Sequence, residues 1–160
     1  MTELFKLTAR AMVDLLGRAE ISPLEAIDAA LARIEATDGA LNALPTLCAE
    51  RAIEAARRIA PDDAASGAPG WLAGLPIAVK DLNDVAGVRT TYGSPIFADH
   101  VPERSDVAVE TLERRGAVVL AKSNTPEFGA GANTFNEVFG ATRNPWDTRM
   151  NCGGSSGGAA

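Results

Sequence analysis

Apolar residues recur at helical spacing through the first 60 positions and then give way to short unbroken apolar runs. Leu24, Ile27, Leu31 and Ile34 fall on one face of a 3.6-residue period. Ser22-Pro23-Leu24-Glu25 precedes them and supplies a capping serine, a proline at the first helical position and a glutamate able to reach back to the cap. The pattern predicts a helix from Pro23 that Gly39 closes. A shorter helix is expected behind Thr8, carrying Met12, Leu15 and Leu16 and ended by Gly17. A third is expected from about Cys48 to Ile59, with Pro61 stopping it. Each helix has one apolar stripe and needs a surface to cover.

The period then changes. Residues 61–70 (PDDAASGAPG) read as a polar loop. Pro76–Val79 is an apolar run ending at Lys80, and Ala117–Ala121 is a second, ending at Lys122. Between them, Ser105 is placed to cap a helix bearing Val109 and Leu112, with Gly116 at its end. Strand, helix and strand in that order predict parallel pairing. Thr125-Pro126-Glu127 predicts another helix start, and Asn144-Pro145-Trp146 a turn. The fold class expected is α/β: N-terminal helices, then the start of a mixed or parallel sheet with helices on both faces. Residues 1–160 read as the N-terminal portion of a single domain, with 1–60 a helical lead-in, 61–70 a loop and 71–160 the start of the α/β core. The sequence ends just past a glycine-rich loop, so the fold is expected to be incomplete and its C-terminal remainder absent.

Composition narrows the function classes. Hydrophobic residues make up 46% and charged residues 22%, enough for a core, while aromatics at 5% leave the packing to Ala, Val, Leu and Ile. The net charge of −6 with scattered Lys and Arg argues against direct nucleic-acid binding. No apolar run approaches membrane-spanning length, and Glu3, Asp14 and Glu20 do not fit a secretion signal, so the expected compartment is the cytoplasm. Cys48, Cys152 and His100 are spaced too poorly for a zinc set, and no metal or cofactor is expected. Trp71 and Trp146 read as packing anchors, His100 as a surface residue, and Asn124, Asn133, Arg143 and Asp147 as residues that hold turns and loops.

Taken alone, Gly153-Gly154-Ser155-Ser156-Gly157-Gly158 is a linker composition, and it fits neither the Walker pattern nor GxGxxG. Lys80 alone is a solvated strand end. Context changes both readings. Gly74-Leu75-Pro76-Ile77-Ala78-Val79-Lys80-Asp81, then Thr90-Thr91-Tyr92-Gly93-Ser94, then Gly116 to Asn124 with Glu127-Phe128 stand in order along the chain. Phe139 to Asp147 and the glycine–serine loop complete the series, and the set resembles the blocks of the amidase-signature family of serine hydrolases.

The resemblance implies a Ser-cisSer-Lys triad acting on a small-molecule amide without metal or organic cofactor. Lys80 matches the base and Ser155 the bridging serine in a cis peptide, with Gly153, Gly154 and Ser156 supporting the loop or the substrate. A lysine serves as base only when its ammonium is disfavoured, and burial lowers such a pKa by up to ~3–5 units. A serine hydroxyl both donates and accepts, so it can pass a proton onward. The family's nucleophile and oxyanion donors sit in a later GGS block, roughly two dozen residues past the bridging serine. Residues 1–160 are therefore expected to be inactive alone. The alternatives are the A subunit of a glutamyl/aspartyl-tRNA amidotransferase, which works with partner subunits, or a non-catalytic interaction module. The A subunits carry Asp-Glu-Phe where this chain has Thr125-Pro126-Glu127-Phe128, which favours a stand-alone amidase and leaves a homodimer open.

Overall fold

The computed structural model describes residues 4–59 and 68–159. Helix α1 (Ala9–Gly17) starts behind Thr8, whose hydroxyl accepts the Ala11 N–H at 3.2 Å. Helix α2 (Pro23–Leu41) opens on a reciprocal cap: the Ser22 hydroxyl accepts from Glu25 N–H at 3.2 Å, and the Glu25 carboxylate accepts from Ser22 N–H at 2.8 Å. Gly39 does not close it. The helix continues to Leu41, and Asn42 takes the left-handed cap with φ 55°. Tertiary contacts favour Asn42 there, since its amide donates to the carbonyls of Phe139 (2.7 Å) and Ala141 (3.2 Å). Helix α3 (Ala49–Arg58) lies within its expected bounds, and the Pro61 expected to stop it falls outside the described residues, as does most of the 61–70 loop.

Strand β1 (Thr46–Leu47), strand β2 (Pro76–Lys80) and strand β3 (Val118–Ser123) form one mixed sheet in the order β1-β3-β2. β2 and β3 pair in parallel across helix α4 (Val107–Arg114), as the apolar runs imply. β1, too short to show a period, pairs antiparallel with the other edge of β3 and leaves that strand central and wholly buried. Ser105 does not cap α4. Its hydroxyl accepts the Ala86 N–H at 2.8 Å instead, and Asp106 occupies the cap position.

One face of the sheet packs Val118 and Leu120 against α2 and α3, while the other packs Val79 and Val119 against Val85, Val88 and Val109 of α4. Helices therefore cover both faces, as expected. A register slip between Ile77 and Ala78 sets the last pairs as Val79 with Lys122 and Lys80 with Ser123. Lys122 thus shares the face of Val79, and Ser123 shares the opposite face with Lys80.

No α-helix starts at Thr125. A single 3₁₀ turn, Glu127–Gly129, holds Phe128 at φ 50°. The Thr125 hydroxyl donates to the Pro126 carbonyl (3.1 Å) rather than capping, and the Phe128 N–H is drawn to the Tyr92 carbonyl (2.7 Å). Two small antiparallel pairs follow, β4 (Phe135–Asn136) with β5 (Gly140–Ala141) and β6 (Arg143–Asn144) with β7 (Asp147–Asn151). The expected turn joins β6 to β7, the Asn144 side chain accepting the Trp146 N–H at 2.9 Å. Trp146 is 94% exposed and anchors nothing, because this hairpin has no core beneath its turn; Trp71 does pack, beside Met12 and Leu16. Among the described residues no helix is long and apolar enough to cross a membrane.

Candidate active site

Lys80 closes β2 at its carboxyl end, where ligands of open α/β sheets gather. Its backbone is pinned by the pairing with Ser123 and by the turn that follows, in which the Lys80 carbonyl accepts the Asn83 N–H at 2.9 Å. The side chain is half-buried, and its ammonium donates to the backbone carbonyl of Ser155, 75 positions along the chain. The Gly154–Ser155 peptide is cis. Partial burial holds the Lys80 pKa below the ordinary lysine range. An amine so placed can exchange a proton with a hydroxyl presented by the same loop. Ser155 and Ser156 are both exposed, as is Gly154, while Gly153 is half-buried.

The loop that presents Ser155 is fixed at both ends. Before the serines, the Thr134 hydroxyl donates to the Gly153 carbonyl (2.6 Å), and the Asn151 side chain accepts the Gly153 N–H (2.9 Å). Beyond them, Gly158 N–H donates to the Asn124 carbonyl at 3.0 Å. A Cβ on Gly157 would stand 2.1 Å from the Asn124 carbonyl oxygen, and one on Gly158 would stand 1.9 Å from that of Ala43. Backbone lies against backbone there, so only glycine fits. The Cys152 thiol points into the same loop, 3.4 Å from the Gly153 and Gly157 carbonyls.

Asn124, expected to hold a turn, does more. It is fully buried, its amide donates to the Gly140 carbonyl (3.2 Å) and the Thr142 hydroxyl (2.9 Å), and its side-chain oxygen accepts from Thr125 N–H (3.0 Å) and the Asn136 amide (2.7 Å). All its side-chain capacity is used, which ties the small hairpins to β3 beneath the serine loop.

On the other face, Lys122 and Asp81 form an ion pair at 3.2 Å with both side chains wholly buried. The Lys122 ammonium also donates to the Asn83 carbonyl (2.9 Å) and the Thr90 hydroxyl (2.6 Å), and Asp81 accepts from the Thr91 hydroxyl (2.5 Å) and N–H (3.0 Å). Burial lowers the Lys122 pKa, and Asp81 pulls it back up. Sequence reasoning assigned this pair no part. The available signal was an aspartate directly after Lys80 and a second lysine at the end of the next apolar run. His100 stacks on Tyr92 with ring centroids 6.0 Å apart, in an aromatic cluster with Phe97. Among the described residues, no group of His, Cys, Asp and Glu side chains is gathered to hold a metal ion.

The chain is similar to known proteins. Over 157 residues the chain is 48% identical to the A subunit of the glutamyl-tRNA(Gln) amidotransferase of Moorella thermoacetica, covering 98% of this chain and 32% of that protein. A solved structure from a vestigial protein complex, bearing on the evolutionary origins of an s-triazine catabolic enzyme, superposes with a TM-score of 0.86 at 38% identity over 95% of this chain and 34% of its own. A bacterial aryl acylamidase of the amidase signature enzymes gives a TM-score of 0.86 at 30% identity, covering 96% of this chain and 32% of that one. The chain spans about a third of the length of the curated relatives it matches. The amidase family model matches residues 25–160, and on that match, with the fold similarity to these structures, the chain belongs to the amidase family and carries the amidase-signature fold.

Proposed function

We propose that Lys80 and Ser155 are the base and the bridging serine of a Ser-cisSer-Lys triad that hydrolyses the C–N bond of a small carboxylic amide. The observation that carries this reading is the Lys80 ammonium resting on the Ser155 carbonyl. Neutral Lys80 accepts a proton from the Ser155 hydroxyl as Ser155 takes one from the nucleophilic serine. That serine adds to the amide carbonyl, and the proton returns along the same path to the departing amine. An ester remains on the enzyme, and water then releases the acid by the reverse proton route. In this reading the nucleophile and the oxyanion donors are assigned to a segment outside residues 1–160. Gly153, Gly154 and Ser156 shape the loop. The lowered Lys80 pKa supports the base role, because more of the amine is neutral near pH 7.

A second reading has its own support. The Moorella thermoacetica relative, at 48% identity, is the A subunit of a glutamyl-tRNA(Gln) amidotransferase. In that case the same chemistry frees ammonia for transfer to a charged tRNA, and partner subunits are required. Thr125-Pro126 in the turn before Phe128 weighs toward the stand-alone enzyme. The test is the full-length protein purified from its host and assayed for amine or ammonia release from aryl amides, alkyl amides and glutamine. Turnover by a single polypeptide supports the amidase, and copurified subunits with glutamine-dependent activity support the amidotransferase. No turnover in either form overturns both.

A further inference from the structure

Ser123 is the cross-strand partner of Lys80, on the face where the serine loop docks. It is 1% exposed, and its hydroxyl oxygen has no hydrogen-bond partner among the described residues. A buried hydroxyl without a partner is unfavourable, and the same strand accepts Val119 and Ala121 without difficulty. An alanine would fit at this place, so the hydroxyl calls for an explanation outside packing.

The needs of Lys80 supply one. An ammonium has three donors. One goes to the Ser155 carbonyl, and in the proposed triad a second is the proton exchanged with the Ser155 hydroxyl. The third is open to an acceptor on the buried side. Neighbouring strands lie about 4.8 Å apart, so the Ser123 oxygen is within the swing of the flexible lysine stem. The nearest ionisable groups along the two strands, Asp81 and Lys122, satisfy each other on the opposite face. The Gly153–Ala159 loop adds no acidic side chain.

We infer that Ser123 is a positioning residue for Lys80, its buried hydroxyl oxygen accepting the third hydrogen bond of the ammonium and so aiming the nitrogen at Ser155. The inference rests on the triad reading above. The hydroxyl is unpartnered while Lys80 leans on the loop carbonyl, and it is engaged as the lysine takes up the proton. Its value is therefore kinetic, and it costs stability in the resting protein.

The experiment compares Ser123→Ala and Lys80→Ala in the full-length protein, using the amide that the wild type hydrolyses fastest. Ser123→Ala is expected to lower kcat by about tenfold with KM within about twofold, as loss of one charge-assisted hydrogen bond in the proton-transfer step requires. Its melting temperature is expected to stay level or rise. A role in packing alone predicts the opposite, a lower melting temperature with kcat and KM disturbed together, and that result overturns the inference. So does a Ser123→Ala enzyme with wild-type kcat when Lys80→Ala is inactive, which leaves the triad intact. An active Lys80→Ala enzyme overturns the triad itself and this inference with it.

Discussion

Lys80 and Lys122 each follow a short apolar run and stand near the carboxyl ends of two paired parallel strands, yet their surroundings differ in kind. Lys122 is sealed, its ammonium donating to a carbonyl and a hydroxyl and ion-paired with the Asp81 carboxylate. Lys80 is half-buried and leans on a single loop carbonyl. Burial disfavours the charge on both, but only Lys122 has a carboxylate to restore it. A buried ammonium held by an ion pair and two hydrogen bonds locks the fold in place. An under-coordinated one is free to do chemistry. The register slip at Leu120 of β3, opposite Ile77 and Ala78, decides which lysine is which, because it assigns them to opposite faces of one sheet.

The largest expected effect would break the comparison if it failed. In the full-length protein, Lys80→Ala is expected to cut kcat by about 10²–10⁴-fold with little change in melting temperature. Near-normal turnover would make Lys80 a second structural lysine. Lys122→Ala should behave in the reverse sense, losing about 3–5 kcal/mol in urea unfolding because Asp81 is left charged and buried without its partner. Replacing both, as Asp81→Leu with Lys122→Met, should recover much of that loss, since no charge is then stranded.

The serine loop refines the picture. Ser155→Ala should lower turnover more deeply than Ser156→Ala, because the Lys80 ammonium sits on the residue that carries the first hydroxyl. The reverse order would move the bridging role by one position. The smallest effect is in the pH profile. A base must be neutral to act, so activity should fall as pH drops through the Lys80 pKa. That limb should lie below the ordinary lysine value of about 10.4, since burial lowers it. A limb at the unperturbed value would show that Lys80 is as solvated as any surface lysine.

Local chemistry made much of this legible in advance. The Ser22–Glu25 cap, α1 behind Thr8 and the parallel pairing of β2 with β3 follow from neighbours in sequence or from the order of apolar runs. Long-range contacts set what was misread. Asn42 outcompetes Gly39 as the end of α2 because residues nearly a hundred positions later reward it. Thr125-Pro126-Glu127 has every local mark of a helix start, but Asn124 and Tyr92 bind that backbone in another shape. At the candidate site, the block pattern pointed to Lys80 and Ser155, and the structure sets the Lys80 ammonium on the Ser155 carbonyl. The Asp81–Lys122 pair and the bonds of Asn124 escaped notice because burial and partnership are invisible in a string of residue types.

The close seat of Gly158 on Ala43 has a consequence for how such a chain can vary. Residues 42–45 join α2 to β1, and connectors of that sort are where insertions and deletions ordinarily accumulate without harm. Here the Ala43 carbonyl forms part of the floor under the serine loop, and the Asn42 carbonyl accepts the Thr142 hydroxyl at 2.7 Å. Adding one residue between Asn42 and Thr46 would lift that floor. The lesion would surface more than a hundred positions away, as a misplaced Ser155 in a protein whose candidate site residues are all unchanged. Length in this short connector is thus under the same constraint as the identity of the glycines above it.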